Sequence, residues 1–258
     1  MAARKPVPVP VLRDALARAH AVLQALAAQV AARPEVEAVH EFRVCARRVR
    51  AALSLFKPAL QRPARRIAKR LRALARKMAE MRDIDVTLER LAQWGAVEPV
   101  ARALSRRRLA LEPRVRRAVQ SNSARATLAA LQAPLKLKDK PPAGALLRRI
   151  EARFGRARKR ALRKPSHQNL HKLRLRGKEL RYVLELLGAR EPVQKALRAL
   201  QECLGEYFDA HLVIAAVKIR APAHTVLRLP ARKAGSRIAS LPGLLARVDK
   251  ALAKLENE

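Results

Sequence analysis

Two short segments carry the same residue types at the same spacing. One is VHEFRVCARRVRAALSLF, starting at Val39, and the other is LHKLRLRGKELRYVLELL, starting at Leu170. With His40 set against His171, Arg43 falls on Arg174, Arg47 on Lys178 and Arg50 on Arg181. Counted from each histidine, the cations stand at +3, +7 and +10. On an α-helix these positions share one face. Each segment would present one imidazole and three cations in a row about 15 Å long. The chemistry of such a row is anion binding. Arginine holds phosphate oxygens with a planar fork, and lysine acts as a point charge. A neutral imidazole can donate one N–H, and a protonated one two. Arg48 adds to the first row, whereas the second has Glu179 at that place and Gly177 just before Lys178. Val44, Val49 and Leu53 match Leu175, Leu180 and Leu184, and are expected to form a neighbouring stripe for the core.

Taken singly, a helix histidine is usually a buried, hydrogen-bonded residue. A cationic row also arises easily by chance in a chain with 57 Lys and Arg. Two histidines at matched places in matched rows favour contact with phosphate. Neighbouring cations disfavour imidazolium in the empty site and a bound polyanion favours it, so binding is expected to take up protons as pH falls below about 7. Arg65, Lys69, Arg72 and Arg76 form a further row directly after the first motif and are expected to widen the same surface. Lys195 and Arg198 occupy the comparable stretch after the second. The run Arg106-Arg107-Arg108 is read as solvated charge. MAEMRDIDVTLERL, from Met78, weakly matches CLGEYFDAHLVIAA, from Cys203, which sets Asp83 against Asp209 and Asp85 against His211. Asp83 and Asp85 would point about 200° apart on a helix, poorly placed to share an ion. Capping or arginine orientation is the expectation for them, with no metal site, no cofactor and no catalytic residue. Phosphoryl transfer through His40 or His171 is the enzymatic alternative, but the carboxylate cluster such chemistry usually employs is lacking.

The elements that must position these rows are helical. Ala, Leu and Arg dominate, glycine totals 8 and aromatics make up 3% of the chain, so an all-α protein is expected. Lys plus Arg at 57 against 21 Asp plus Glu gives a net charge of +36. Such an excess calls for a polyanionic partner: nucleic acid, an anionic membrane or polyphosphate. With 50% hydrophobic residues the chain is no disordered basic tail. Scarce aromatics argue against single-stranded nucleic acid, whose bases stack on rings. A basic helical nucleic-acid-binding protein remains the alternative reading, and weak nucleic-acid binding is expected in any case. No GxxxxGK[ST] or GxGxxG motif occurs. Cys45 and Cys203 stand alone and read as small buried helix residues of a reducing cytoplasm. No apolar run reaches the roughly 18 residues a membrane span needs, and the N-terminus lacks the apolar stretch of a signal peptide.

Helical periodicity starts with Leu12, Leu16, Ala19, Leu23, Leu26 and Val30. Further helices are expected over about 34–56, 63–91 (continuing or breaking briefly through 81–85), 99–119, 145–162, 166–187, 192–203, 206–217 and 244–255. The stretch APLKLKDKPPAG reads as a linker over 133–144, dividing a first helical half, 1–132, from a second, 145–258. Residues 220–243 read as irregular.

The pattern H-x-x-R-h-x-x-[RK]-x-h-R, present in both halves and followed by RDIDV and FDAHL, resembles the CHAD family, the conserved-histidine α-helical domain. The likeness extends over roughly residues 10 to 255. It implies two helical-bundle halves related by a pseudo-twofold axis, with a basic central cavity that binds inorganic polyphosphate. It places His40, Arg43, Arg47, Arg50, His171, Arg174, Lys178 and Arg181 towards that cavity. It also implies association with polyphosphate granules, and a non-enzymatic protein of the cytoplasm is the expectation. Many members carry a CYTH domain with an ExExK motif; none is found here, so a stand-alone CHAD protein is expected.

Overall fold

The computed structural model describes residues 9–95, 97–133, 143–189, 191–220 and 227–256. They form ten α-helices and two compact units, each made of two stretches of chain.

The first unit comprises residues 1–82 and 108–149. It contains α1 (Val9–Ala32), α2 (Val36–Leu55) and α3 (Arg62–Lys77), and α6 (Asn122–Ala129). The opening of α4 (Ala79–Trp94), the second half of α5 (Glu98–Gln120) and the first turns of α7 (Ala143–Arg163), up to Arg149, complete it. On α1, Leu12, Leu16, Leu23 and Val30 are buried, four of the six in the stripe read from sequence. They lie on α2, whose own buried face carries Val39, Phe42, Ala46, Val49 and Leu53. Ile67, Leu71 and Leu74 of α3 close over the other side. Helix α6 was not legible in periodicity, being only two turns long. Ser121 starts it, with its hydroxyl accepting a hydrogen bond from the Ala124 N–H at 3.2 Å. His20, 5% exposed, bonds the Leu128 carbonyl at 2.8 Å and ties α1 to this helix.

The second unit comprises residues 83–107 and 150–258. It holds the remainder of α4 and α5, most of α7 (Ala143–Arg163), α8 (His167–Leu186), α9 (Glu191–Arg220) and α10 (Arg228–Glu256). Ser166 caps α8, and Gly188 ends it with φ +69°, the left-handed conformation glycine takes at little cost. The Gly188 and Ala189 N–H groups then reach back to the Glu185 and Leu184 carbonyls at 3.2 and 2.9 Å, which satisfies the open end of the helix.

Two expectations fail here. The predicted break between residues 203 and 206 is absent, since α9 runs through Gly205. Residues 228–243, read as irregular, belong to α10, which continues through Pro242 and Gly243. Packing explains both. Leu197, Leu204, Ala210, Val213 and Val217 of α9 are buried, as are Ala234, Leu241, Leu245 and Val248 of α10. The two helices form the most extensive helix pair within this unit. Tertiary burial thus outweighs the helix-breaking propensity of proline and glycine. The Cys203 thiol also bonds the Arg237 carbonyl at 3.1 Å, and Arg237 pairs with Glu206. The expected linker falls largely on residues 134–142, outside the described residues, as do 221–226 of the stretch read as irregular.

Candidate functional site

The two motif segments fold as helices of equal length. Helix α2 and helix α8 each span 20 residues, and His40 and His171 each stand fifth. Their burial patterns agree in register. Val39 and Leu170, Phe42 and Leu173, Ala46 and Gly177, Val49 and Leu180, and Leu53 and Leu184 are buried at matched places. The six row cations Arg43, Arg47, Arg50, Arg174, Lys178 and Arg181 are all half-buried.

One part of the expected core stripe is wrong. Leu175 is 45% exposed and its match Val44 is only half-buried. Four residues after the histidine, these side chains point roughly 180° away from the centre of the buried face. The cationic row instead borders that face, roughly 100° round from its centre. This position accounts for the half-burial. Long cationic side chains at such a border can lay their aliphatic stems along the core.

The first row is built against α3. The Arg43 guanidinium donates to the Ala75 carbonyl at 2.5 Å, in the last turn of α3, where exposed carbonyls attract positive charge. His40 sits half-buried with Nε2 3.8 Å from a Glu41 carboxylate oxygen. Burial holds its pKa below the usual histidine value, and the charges of Arg82 and Arg47 act in the same direction against Glu41 and Glu37. Arg48 is exposed beside the row. On α3, Arg65, Lys69, Arg72 and Arg76 are all exposed. Arg65 donates to the Leu60 carbonyl at 3.0 Å and so closes the turn from α2.

The second row is built against α9. The Arg174 guanidinium lies 5.6 Å from the centroid of the Phe208 ring, and the His171 ring meets the same phenyl edge-on at 5.5 Å. His171 is exposed, yet desolvation lowers its pKa, helped by Arg174 and His167. Arg181 donates to the Gln201 side-chain oxygen at 3.0 Å, stands 3.7 Å from Glu185 and lies over the Tyr182 ring. Lys195 and Arg198 are exposed at the start of α9, where Arg198 pairs with Glu191. Asp209 takes two hydrogen bonds from Arg90, at 3.2 and 3.0 Å, so it orients an arginine, though not one of the row. Burial pushes the Cys45 thiol up to about 11 and raises that of Cys203, which keeps both thiols protonated.

Residues 14–218 match the model of the CHAD domain. The chain belongs to the CHAD domain family. Two solved structures share its fold. One is the crystal structure of the CHAD domain from the plant Ricinus communis, 20% identical, with a TM-score of 0.68 over 96% of this chain and 93% of that one. The other is PptA from Streptomyces chartreusis, 18% identical, with a TM-score of 0.69 over 95% of this chain and 98% of that one. A search of the curated proteins finds no match. In this CHAD chain, sequence reasoning missed Phe208 and Arg82 as neighbours of the two histidines. A signal was present, because each stands one residue before the matched pair Asp209 and Asp83. No helix among the described residues is long and apolar enough to cross a membrane.

Proposed function

We propose that this CHAD protein binds inorganic polyphosphate at the His/Arg/Lys rows of α2 and α8 and does not chemically alter it. The observation that carries the reading is the matched register of half-buried cations beside the core of each motif helix. Charge at such positions is held in place before the ligand arrives, so little side-chain entropy is lost on binding. Phosphate oxygens would meet arginine forks at Arg47 and Arg174 and a lysine charge at Lys178. The family's association with polyphosphate supports that choice among polyanions, and location on polyphosphate granules follows from it. The row on α3 widens the surface in the first unit, and Lys195 and Arg198 extend it in the second.

Competition decides between polyphosphate and nucleic acid. At equal phosphate concentration and about 0.15 M salt, long-chain polyphosphate is expected to displace duplex DNA. Equal binding of both polymers would favour a basic nucleic-acid-binding helical protein. Incubation with polyphosphate and Mg²⁺ tests the absence of turnover. No free phosphate and no phosphohistidine are expected, and either product would make the protein an enzyme.

A further inference from the structure

The motif row uses one flank of α8, and the opposite flank carries a second group of cations. Within the second unit a cleft of about 410 Å³ is lined by Arg153, Arg156 and Arg160 of α7 and by Asn169, Lys172 and Arg176 of α8. The three arginines recur at steps of three and four along α7, so they share a face. On α8 the cleft residues stand roughly 170° round from the centre of the motif row. None of them belongs to that row.

The cleft is partly organised already. Glu179, 12% exposed, holds Arg153 at 3.1 Å and Arg176 at 2.7 Å, which fixes two guanidinium groups beside each other. Asn169 is fixed by its side-chain N–H donation to the Lys164 carbonyl at 2.9 Å. Arg156, Arg160 and Lys172 are exposed and pair with no carboxylate among the described residues. Glu179 therefore offsets one of five positive charges. Like charges gathered in one concavity repel each other and focus an attractive field on anions. The volume falls at the small end of ligand sites. It suits a few linked phosphates and excludes a duplex. No aromatic ring lines the cleft, so a nucleobase finds no stacking partner.

We propose that this α7–α8 cleft is a separate site for a compact inorganic oligophosphate of about triphosphate size. The same group could arrive free or as the tail of a nucleoside triphosphate, and the lining favours the free form. The inference does not rest on the reading of the motif rows.

Calorimetric titration with tripolyphosphate and with ATP, at about 0.15 M salt, tests it on four full-length chains. They are the wild type, the cleft variant Arg156→Ser/Arg160→Ser/Lys172→Ser, the row variant Arg47→Ala/Arg48→Ala/Lys178→Ala, and a control, Arg13→Ser/Arg18→Ser/Lys254→Ser. All substituted cleft and control residues are exposed, so folding should be preserved. Saturable tripolyphosphate binding should persist in the row variant and the control and weaken at least about tenfold in the cleft variant, as expected when several charge-assisted contacts are lost. ATP should bind no tighter than tripolyphosphate. Absence of saturable binding, an equal loss in the control, a loss in the row variant alone, or a clear preference for ATP would each overturn the proposal. A row that fails with long polyphosphate while the cleft retains tripolyphosphate would sink the proposed function and leave this inference standing.

Discussion

The motif helices α2 and α8 share their histidine position, their cation spacing and their buried face, yet each row is supported by different chemistry. His40 lies among charges, with Glu41 and Glu37 opposed by Arg82 and Arg47. His171 lies against the Phe208 ring, with Arg174 over the same ring. At the sequence position matched between the two halves, one neighbour is Arg82 and the other is Phe208. Arg43 is bound to the end of α3, whereas its match Arg174 rests on an aromatic face. The lesson is that spacing along a helix sets which residues share a face, while the packed neighbour sets how each is held. The first row doubles as part of the fold. The second is held by side-chain contacts with α9.

Removal of a row should have the largest effect. Arg174→Ala/Lys178→Ala/Arg181→Ala is expected to weaken long-chain polyphosphate binding on the order of 100-fold, the equivalent of about two charge-assisted hydrogen bonds at about 1.5 kcal/mol each. The slope of log affinity against log salt should flatten by about 2, given a slope of about 0.7 per neutralised phosphate on a single strand. An unchanged slope would mean that these cations do not meet phosphate.

Stability should separate the two rows next. Arg43→Ala leaves a carbonyl in the last turn of α3 without its charged partner and should cost about 1.5–3 kcal/mol in urea unfolding. Arg174→Ala removes a cation over a ring and should cost about 0.5–1 kcal/mol. Equal losses would erase the distinction drawn between them.

Gly177 offers a smaller test, because its match in α2 is Ala46. A Cβ at Gly177 would meet Phe154 at 3.7 Å and Leu200 at 3.8 Å, both ordinary contacts. Gly177→Ala should therefore stabilise the protein by about 0.4–1 kcal/mol through the unfolded chain. A loss of stability would show that α8 needs glycine for closer packing.

The smallest effects concern pH. Both histidine pKa values lie below the usual 6.5 in the free protein. The folded state resists protonation, so its stability should fall as pH drops below that value. A bound polyanion favours imidazolium, so binding takes up protons and affinity should rise as pH falls from 8 to 6. A few-fold rise is expected, lost in His40→Gln/His171→Gln. Imidazole titration by NMR sharpens the contrast. Arg82→Ala should raise the pKa of His40 and leave His171 unmoved, whereas a shift at His171 alone would contradict the assigned neighbours.

Much of this was legible in the sequence because it follows helical period. The two motif helices, expected over about 34–56 and 166–187, and the matched places of their histidines and cations come from spacing alone. The misplacement of Val44 and Leu175 in the core was avoidable, because four residues after the histidine lies far round the helix from +9 and +13. The continuity of α9 and α10 was not avoidable. Gly205, Pro242 and Gly243 favour breaks locally, and only burial between the two helices overrides them. The assignment of residues 83–107 to the second unit has no mark in periodicity, since the boundaries fall inside α4 and α5. The cleft on α7 and α8 escaped notice because its cations come from two helices, neither carrying a repeat.

The central claim is that +36 charges do not act diffusely and that the matched rows bind the polymer. The direct measurement is long-chain polyphosphate affinity for Arg47→Ala/Arg48→Ala/Arg174→Ala/Lys178→Ala, beside a control lacking four exposed cations elsewhere, Arg13, Arg18, Lys250 and Lys254. Circular dichroism would verify that both remain folded. The account predicts a loss on the order of 100-fold in the row variant and about threefold or less in the control, where only diffuse attraction is reduced. Equal losses in both would contradict it.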